Sequence, residues 1–118
     1  MRVVHEPPGG DARTLAVDVE TADSWRSKTL GLMFRPSVPD GYALVFPFDR
    51  VGRRAIHTVG VRVPIDVVWT AEGEVVRAET LPAWRGAGVA RADRVVEFPA
   101  GAADGVVAGD RLRVVEEG

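Results

Sequence analysis

Apolar positions along this chain alternate with polar ones far more often than they recur at helical spacing, so strands dominate the expected structure. Leu15, Val17 and Val19 alternate with Ala16, Asp18 and Glu20, which predicts a half-buried strand. Tyr42 to Phe46 is continuously apolar and predicts a fully buried one. From Ala55 the alternation places Ala55, His57, Val59, Val61 and Val63 on one face, with Gly60 as a point where a bulge switches faces. Ile65, Val67 and Trp69 then alternate with Asp66, Val68 and Thr70. Ala71-Glu72-Gly73 supplies a tight turn, and Val75 to Leu81 returns as the hairpin partner. Arg94 to Phe98 and Arg111 to Val115 are the last strands.

One helix interrupts the pattern, near residues 22–30. Thr21 is a suitable N-cap, and Asp23 complements the positive end of the helix dipole. Trp25, Thr29 and Leu32 share a helical face, and Gly31 ends the element as its C′ residue. Loops are expected at Arg35 to Gly41, Pro47 to Gly52 and Pro82 to Asp93. One helical turn is expected at Ala102 to Gly105, and a sharp re-entry at Gly109-Asp110. Pro7, Pro8, Gly9 and Gly10 make residues 1–13 a loosely ordered lead-in to a single domain over 14–118. The expected fold is α+β but mainly β. About seven mostly antiparallel strands form a bent sheet or partly closed barrel, with the short helix packed on it.

Composition narrows the class. The chain has 118 residues, 46% of them hydrophobic and 27% charged, and valine is the commonest apolar type. Valine is β-branched and suits strands. The absence of cysteine removes disulfides, thiolate metal sites and a cysteine nucleophile together. A net charge of −2 gives no global pull toward nucleic acid or anionic membrane. No apolar run approaches the ~20 residues of a membrane helix, and Met1 to Pro8 lacks a signal-peptide h-region. A cytoplasmic location is expected, as a monomer or weak homodimer.

Several short blocks occur in a telling order: Gly31-Leu32-Met33, Arg35, Phe46, Pro64-Ile65-Asp66, Glu72-Gly73, Val95-Val96-Glu97, Ala100-Gly101 and Gly109-Asp110. Their order and spacing, from about Leu15 to Val115, resemble the family of small bacterial and archaeal proteins known as domain of unknown function 192. Many members carry Phe-Trp-Met-Lys-Asn-Thr where this chain has Ile56-His57-Thr58-Val59-Gly60-Val61, so any role of that block does not transfer. The resemblance implies a β-rich fold with one helix and implies no activity.

Candidate chemistry rests on few residues. His57 and Asp66 could meet across neighbouring strands, the carboxylate orienting the imidazole as a general base. The plainer reading is a structural histidine. Arg35, after the helix, could pair with Asp66 or take an anionic ligand in a bidentate contact. Asp66 could instead cap backbone near Pro64. Trp84 could stack on a sugar or base, although a loop anchor packed on the sheet is the simpler expectation. Asp110 reads as a turn stabiliser. Arg50, Arg53 and Arg54 could touch phosphates but read better as a solvated turn. His5 sits in the lead-in, so no metal set is complete.

Neither a phosphate-binding Gly-rich loop nor a Gly-x-Ser-x-Gly elbow is present, and no cofactor is expected. The expected function is a non-enzymatic module binding a small polar ligand or a protein partner through Arg35, His57, Asp66 and Trp84. The alternatives are a hydrolase or isomerase using His57 with Asp66, and an RNA-associated module, although nucleic acid and membrane partners are not expected.

Overall fold

The computed structural model describes residues 1–22, 32, 35 and 37–116. Among them eight strands form one mixed sheet: β1 (Arg2–Glu6), β2 (Arg13–Ala16), β3 (Asp18–Thr21), β4 (Tyr42–His57), β5 (Ile65–Ala71), β6 (Glu74–Leu81), β7 (Ala87–Pro99) and β8 (Arg111–Val115). Their spatial order is β2-β1-β8-β6-β5-β7-β4-β3. β3 and β4 run parallel, and the other neighbouring pairs are antiparallel. The ladder ends at β2 and β3 without closing, so the sheet is open rather than a partly closed barrel. The helix expected near 22–30 lies outside the described residues. No helix occurs among the described ones.

The run from Leu15 to Glu20, expected to be one strand, is two strands on opposite edges of the sheet. The break falls at Val17, which is 68% exposed. Val17 and Asp18 both donate their amides to the Gly41 carbonyl, at 2.9 Å each. A single residue thus carries the chain from one edge to the other. An eight-stranded sheet permits this only if it bends strongly on itself.

Three other expectations need correction. Arg2–Glu6, expected in a loosely ordered lead-in, forms β1 with β2 on one side and β8 on the other, and Val3 is fully buried. The expected connection at Pro47 to Gly52 is a bulge inside β4, where the register against β7 shifts. The long loop expected from Pro82 to Asp93 shrinks to the stretch before β7, which starts at Ala87. Buried Thr58 ties that stretch down: its hydroxyl donates to the Pro82 carbonyl and accepts from the Gly86 amide, both at 2.6 Å.

The core occupies both faces of the central strands. On β5, Ile65, Val67 and Trp69 join one cluster with Tyr42, Leu44 and Val95. Val68 points the other way, into a cluster with Val3, Val96 and Phe98. A strand buried on both faces must be apolar at successive positions, which explains the unbroken Val67-Val68-Trp69. Beyond the bulge, residues 52–57 of β4 and 87–92 of β7 form a two-stranded arm that folds over the first cluster. Trp69 is fully buried beneath it, and its indole N–H donates to the Arg54 carbonyl at 2.9 Å, so burial leaves no donor unpaired.

Candidate functional site

Asp66 sits in β5 between Thr80 and Phe98 and is 3% exposed. Its carboxylate accepts from the Thr80 hydroxyl at 2.6 Å and from the amides of Gly101 and Ala103 at 2.9 Å each. The two amide bonds hold the turn at 100–105 against the sheet, and the Thr80 bond links β5 to the neighbouring β6. Asp66 does cap backbone, but of a turn some 35 residues downstream rather than the bend at Pro64.

His57 lies elsewhere. It ends β4 on the exposed face of the arm opposite Ala87, and its Nδ1 accepts from the Val59 amide at 3.2 Å. Ala87 and Phe98, the β7 partners of His57 and Asp66, are separated by roughly 35 Å of extended strand. The His57–Asp66 pairing weighed as an alternative from the sequence does not form. Each candidate is satisfied locally, and the hollows beside them share no lining residue.

Arg35 is not paired with Asp66 either. Its Nη1 donates to the Tyr42 hydroxyl at 3.0 Å and stands 3.7 Å from Glu20 Oε1, and the guanidinium lies over the Tyr42 ring, 5.3 Å from its centroid. Trp84 is 53% exposed with φ +67°, its amide donating to the Val61 carbonyl at 3.1 Å. About half of its surface is open to solvent. Neither His57 nor Arg35 is therefore paired with Asp66, and Trp84 lies in the stretch tied to Thr58 and Val61. Arg50, Arg53 and Arg54 diverge as well. Arg54 folds back onto the carbonyls of Arg50 (2.7 Å) and Ala92 (3.1 Å) and covers Phe48, closing the β4 bulge.

The structure gives new weight to two carboxyls that the sequence placed only within a family block or a turn. Glu97, on β7, pairs with Leu44 of β4 and Val67 of β5. Cross-strand partners share a face, so its side chain points to the side holding Tyr42, Leu44 and Val67. It is 5% exposed, and no described side chain or amide hydrogen-bonds to its carboxyl. No described buried polar side-chain atom is both sealed and unpartnered, so the Glu97 oxygens reach accessible space. Burial pushes this carboxyl up to about 7, with the positive charge of Arg35 acting in the opposite direction. On the same side, burial also pushes the Tyr42 phenol up to about 12. A signal for Glu97 was present in the sequence: a lone carboxylate set in Val95-Val96-Glu97-Phe98, where a strand buried on both faces tolerates none without cause.

The second is Asp110, 4% exposed, whose Oδ2 lies 2.7 Å from Nε2 of buried His5. Arg13 Nε donates to His5 Nδ1 at 3.2 Å, which leaves Nε2 to carry the imidazole proton toward Asp110. Asp110 also accepts from the Val107 amide at 3.1 Å, so the expected turn role holds and is extended across the sheet. The His5 bond and then the Val107 amide hold this carboxyl below its ordinary value of 3.8. Among the described residues no group of three or more His, Cys, Asp or Glu side chains could hold a metal ion. Nor is any helix there long and apolar enough to cross a membrane.

An open, strongly bent, mainly β sheet that keeps a buried carboxyl, with no hydrogen-bond partner among the described residues, near an arginine defines a small β domain with a polar locus. The chain belongs to the DUF192 family, described as an uncharacterized ACR, whose model matches residues 8–114. No curated protein matches it. Among solved structures, it is similar to a "putative transcription regulator" from Sinorhizobium meliloti 1021, with a TM-score of 0.83 and 23% identity over 95% of this chain and 91% of that one. It is also similar to a protein of unknown function from Novosphingobium aromaticivorans DSM 12444, with a TM-score of 0.82 and 19% identity over 97% of this chain and 84% of that one. At these identities the likeness establishes the fold.

Proposed function

We propose that the protein is a non-enzymatic domain that binds a small polar ligand beside Arg35, Tyr42 and Glu97. One observation carries this reading: a buried carboxyl without a hydrogen-bond donor among the described residues shares a side of the sheet with Tyr42, which carries a part-exposed guanidinium. A buried acid lacking a donor is costly unless a ligand or water supplies one. A ligand ammonium or hydroxyl supplies it at Glu97. An acceptor or carboxylate on the same ligand meets Arg35, whose fork suits bidentate contacts. Small zwitterions carry both groups.

The test is a thermal-shift and calorimetric screen of amino acids, organic acids, sugars and nucleotides at pH 6 and pH 8. A zwitterion is expected to raise Tm, and Glu97→Gln and Arg35→Gln are each expected to weaken its binding at least tenfold, about 1.4 kcal/mol. An ammonium group pairs with the ionised form of Glu97. Because that form grows as pH rises through about 7, affinity is expected to be higher at pH 8 than at pH 6. A panel without any shift, or binding indifferent to Glu97→Gln, would reject the proposal.

A further inference from the structure

The exposed face of the β4–β7 arm is a different place and shares no residue with the Arg35–Tyr42–Glu97 locus. Its rungs pair Arg53 with Arg91, Ala55 with Val89 and His57 with Ala87. Like charges directly opposite one another in an antiparallel pair are destabilising, because their Cβ atoms stand only about 5 Å apart. Both arginines are exposed, and among the described residues neither guanidinium has a hydrogen-bond or ion-pair partner. Contrast Arg54 and Arg77 on the same arm and its neighbour, which bond backbone carbonyls. Beside the arginine rung lies an open hollow of about 440 Å³, lined by Arg53, Ala55, His57, Arg77, Ala87 and Val89 with Ile56 and Gly88. Its floor is apolar and its rim is cationic. That is the composition of a small-ligand site, in which apolar walls carry the body and a few polar groups fix the orientation.

We propose that this arm binds a small organic anion, its charged group held between Arg53 and Arg91 and its apolar body resting on Ala55, Ala87 and Val89. The anion removes the repulsion across the Arg53–Arg91 rung. The proposal is independent of the Arg35–Glu97 reading, because the two places share no residue. The size and apolar floor of the hollow favour a small amphipathic molecule over a polynucleotide, whose backbone would call for a longer cationic track. Phosphate and carboxylate heads offer the same chemistry to a guanidinium pair, and the probes below separate them.

The full chain, labelled for amide NMR, is titrated with phenyl phosphate, hexanoate and inorganic phosphate in separate experiments. At least one organic anion is expected to shift the amides of residues 53–57 and 87–91 at millimolar concentration. Inorganic phosphate is expected to bind at least tenfold more weakly than phenyl phosphate. The double variant Arg53→Gln with Arg91→Gln is expected to lose those shifts while its remaining spectrum stays native, and each single variant is expected to keep or raise Tm. Retention of the shifts in the double variant would overturn the proposal, as would inorganic phosphate matching the organic probes. An oligonucleotide that shifts the arm when no small anion does would replace it with a nucleic-acid surface.

Discussion

At the scale of single residues, Asp66 and Glu97 show how differently two buried carboxyls are treated by one sheet. Asp66 has three donors in place, one from the neighbouring strand β6 and two from the turn at 100–105. Hydrogen bonds to a charged acceptor contribute about 1.5–3 kcal/mol, and stranded buried amides cost a similar amount. Asp66→Ala is therefore expected to destabilise the fold by about 3 kcal/mol in urea unfolding and to leave ligand binding at Arg35 and Glu97 unaltered in whatever fraction folds. A variant of wild-type stability would mean the turn at 100–105 is held by something else. The sequence marked Asp66 as special through Pro64-Ile65-Asp66, but not what it does, because its partners lie across the sheet and in a turn closed by long-range pairing. His57 misled for a related reason. Alternation places a residue on a face, yet the arm carries that face away from β5. Arg35 alone among the four nominated ligand residues sits at the locus argued here, and Glu97 beside it was legible as a carboxylate out of place in an apolar run.

At the scale of elements, the arm depends on one small residue. A Cβ at Gly88 would stand 2.7 Å from Cη2 of the Trp69 ring, a contact that forces movement of a fully buried indole. Arg77 fixes the same junction, its Nη1 donating to the Val89 carbonyl at 2.8 Å while the guanidinium lies over Trp69. Gly88→Ala is expected to cost about 1–3 kcal/mol, as overpacking in a well-filled core does. The accompanying sign is a loss of near-ultraviolet circular dichroism from Trp69; unchanged stability and an unchanged signal would show that the arm lifts freely. Sequence patterning found the strands before and after this region but read β7 too short. Gly86 and Gly88 look like loop glycines. In fact Gly86 allows close approach to Leu81 and Pro82, and Gly88 makes room for an aromatic ring. Val17 is the converse case, where a perfect alternation concealed a crossing between sheet edges, since period two says nothing about which partner a strand chooses.

At the scale of the whole molecule, the sheet has a narrow seam. β6 and β8 share one paired rung, Glu74 with Arg111, and the three strands β2, β1 and β8 lie beyond it. The seam is reinforced by backbone bonds from Val75 to the Asp110 carbonyl (2.8 Å) and from Leu112 to the Gly73 carbonyl (2.9 Å). The buried His5–Asp110 contact fastens β1 to the same corner. Because Asp110 titrates below its ordinary value in the folded protein, the unfolded chain binds its proton more readily. The stabilisation is thus present above about pH 4 and is lost as pH falls through the folded value. Glu97 works in the opposite sense. Raised from 4.5 to about 7, it holds a proton in the fold that the unfolded chain has released, so stability declines as pH climbs through that window and levels off above it. Urea unfolding from pH 3 to pH 9 should therefore rise steeply at the acid end, peak near pH 5 and drop toward pH 8. Asp110→Asn should flatten the acid limb and let β1 and β8 exchange their amide protons early, since the fastening at the seam no longer strengthens on ionisation. Glu97→Gln should abolish the decline above pH 5 and leave the variant the more stable protein at pH 8, by up to about 3 kcal/mol for a shift of this size. Parallel curves for Glu97→Gln and the parent between pH 5 and pH 8 would show that the carboxyl is not buried in solution as it is in this fold. The polar locus would then lose the feature that marks it.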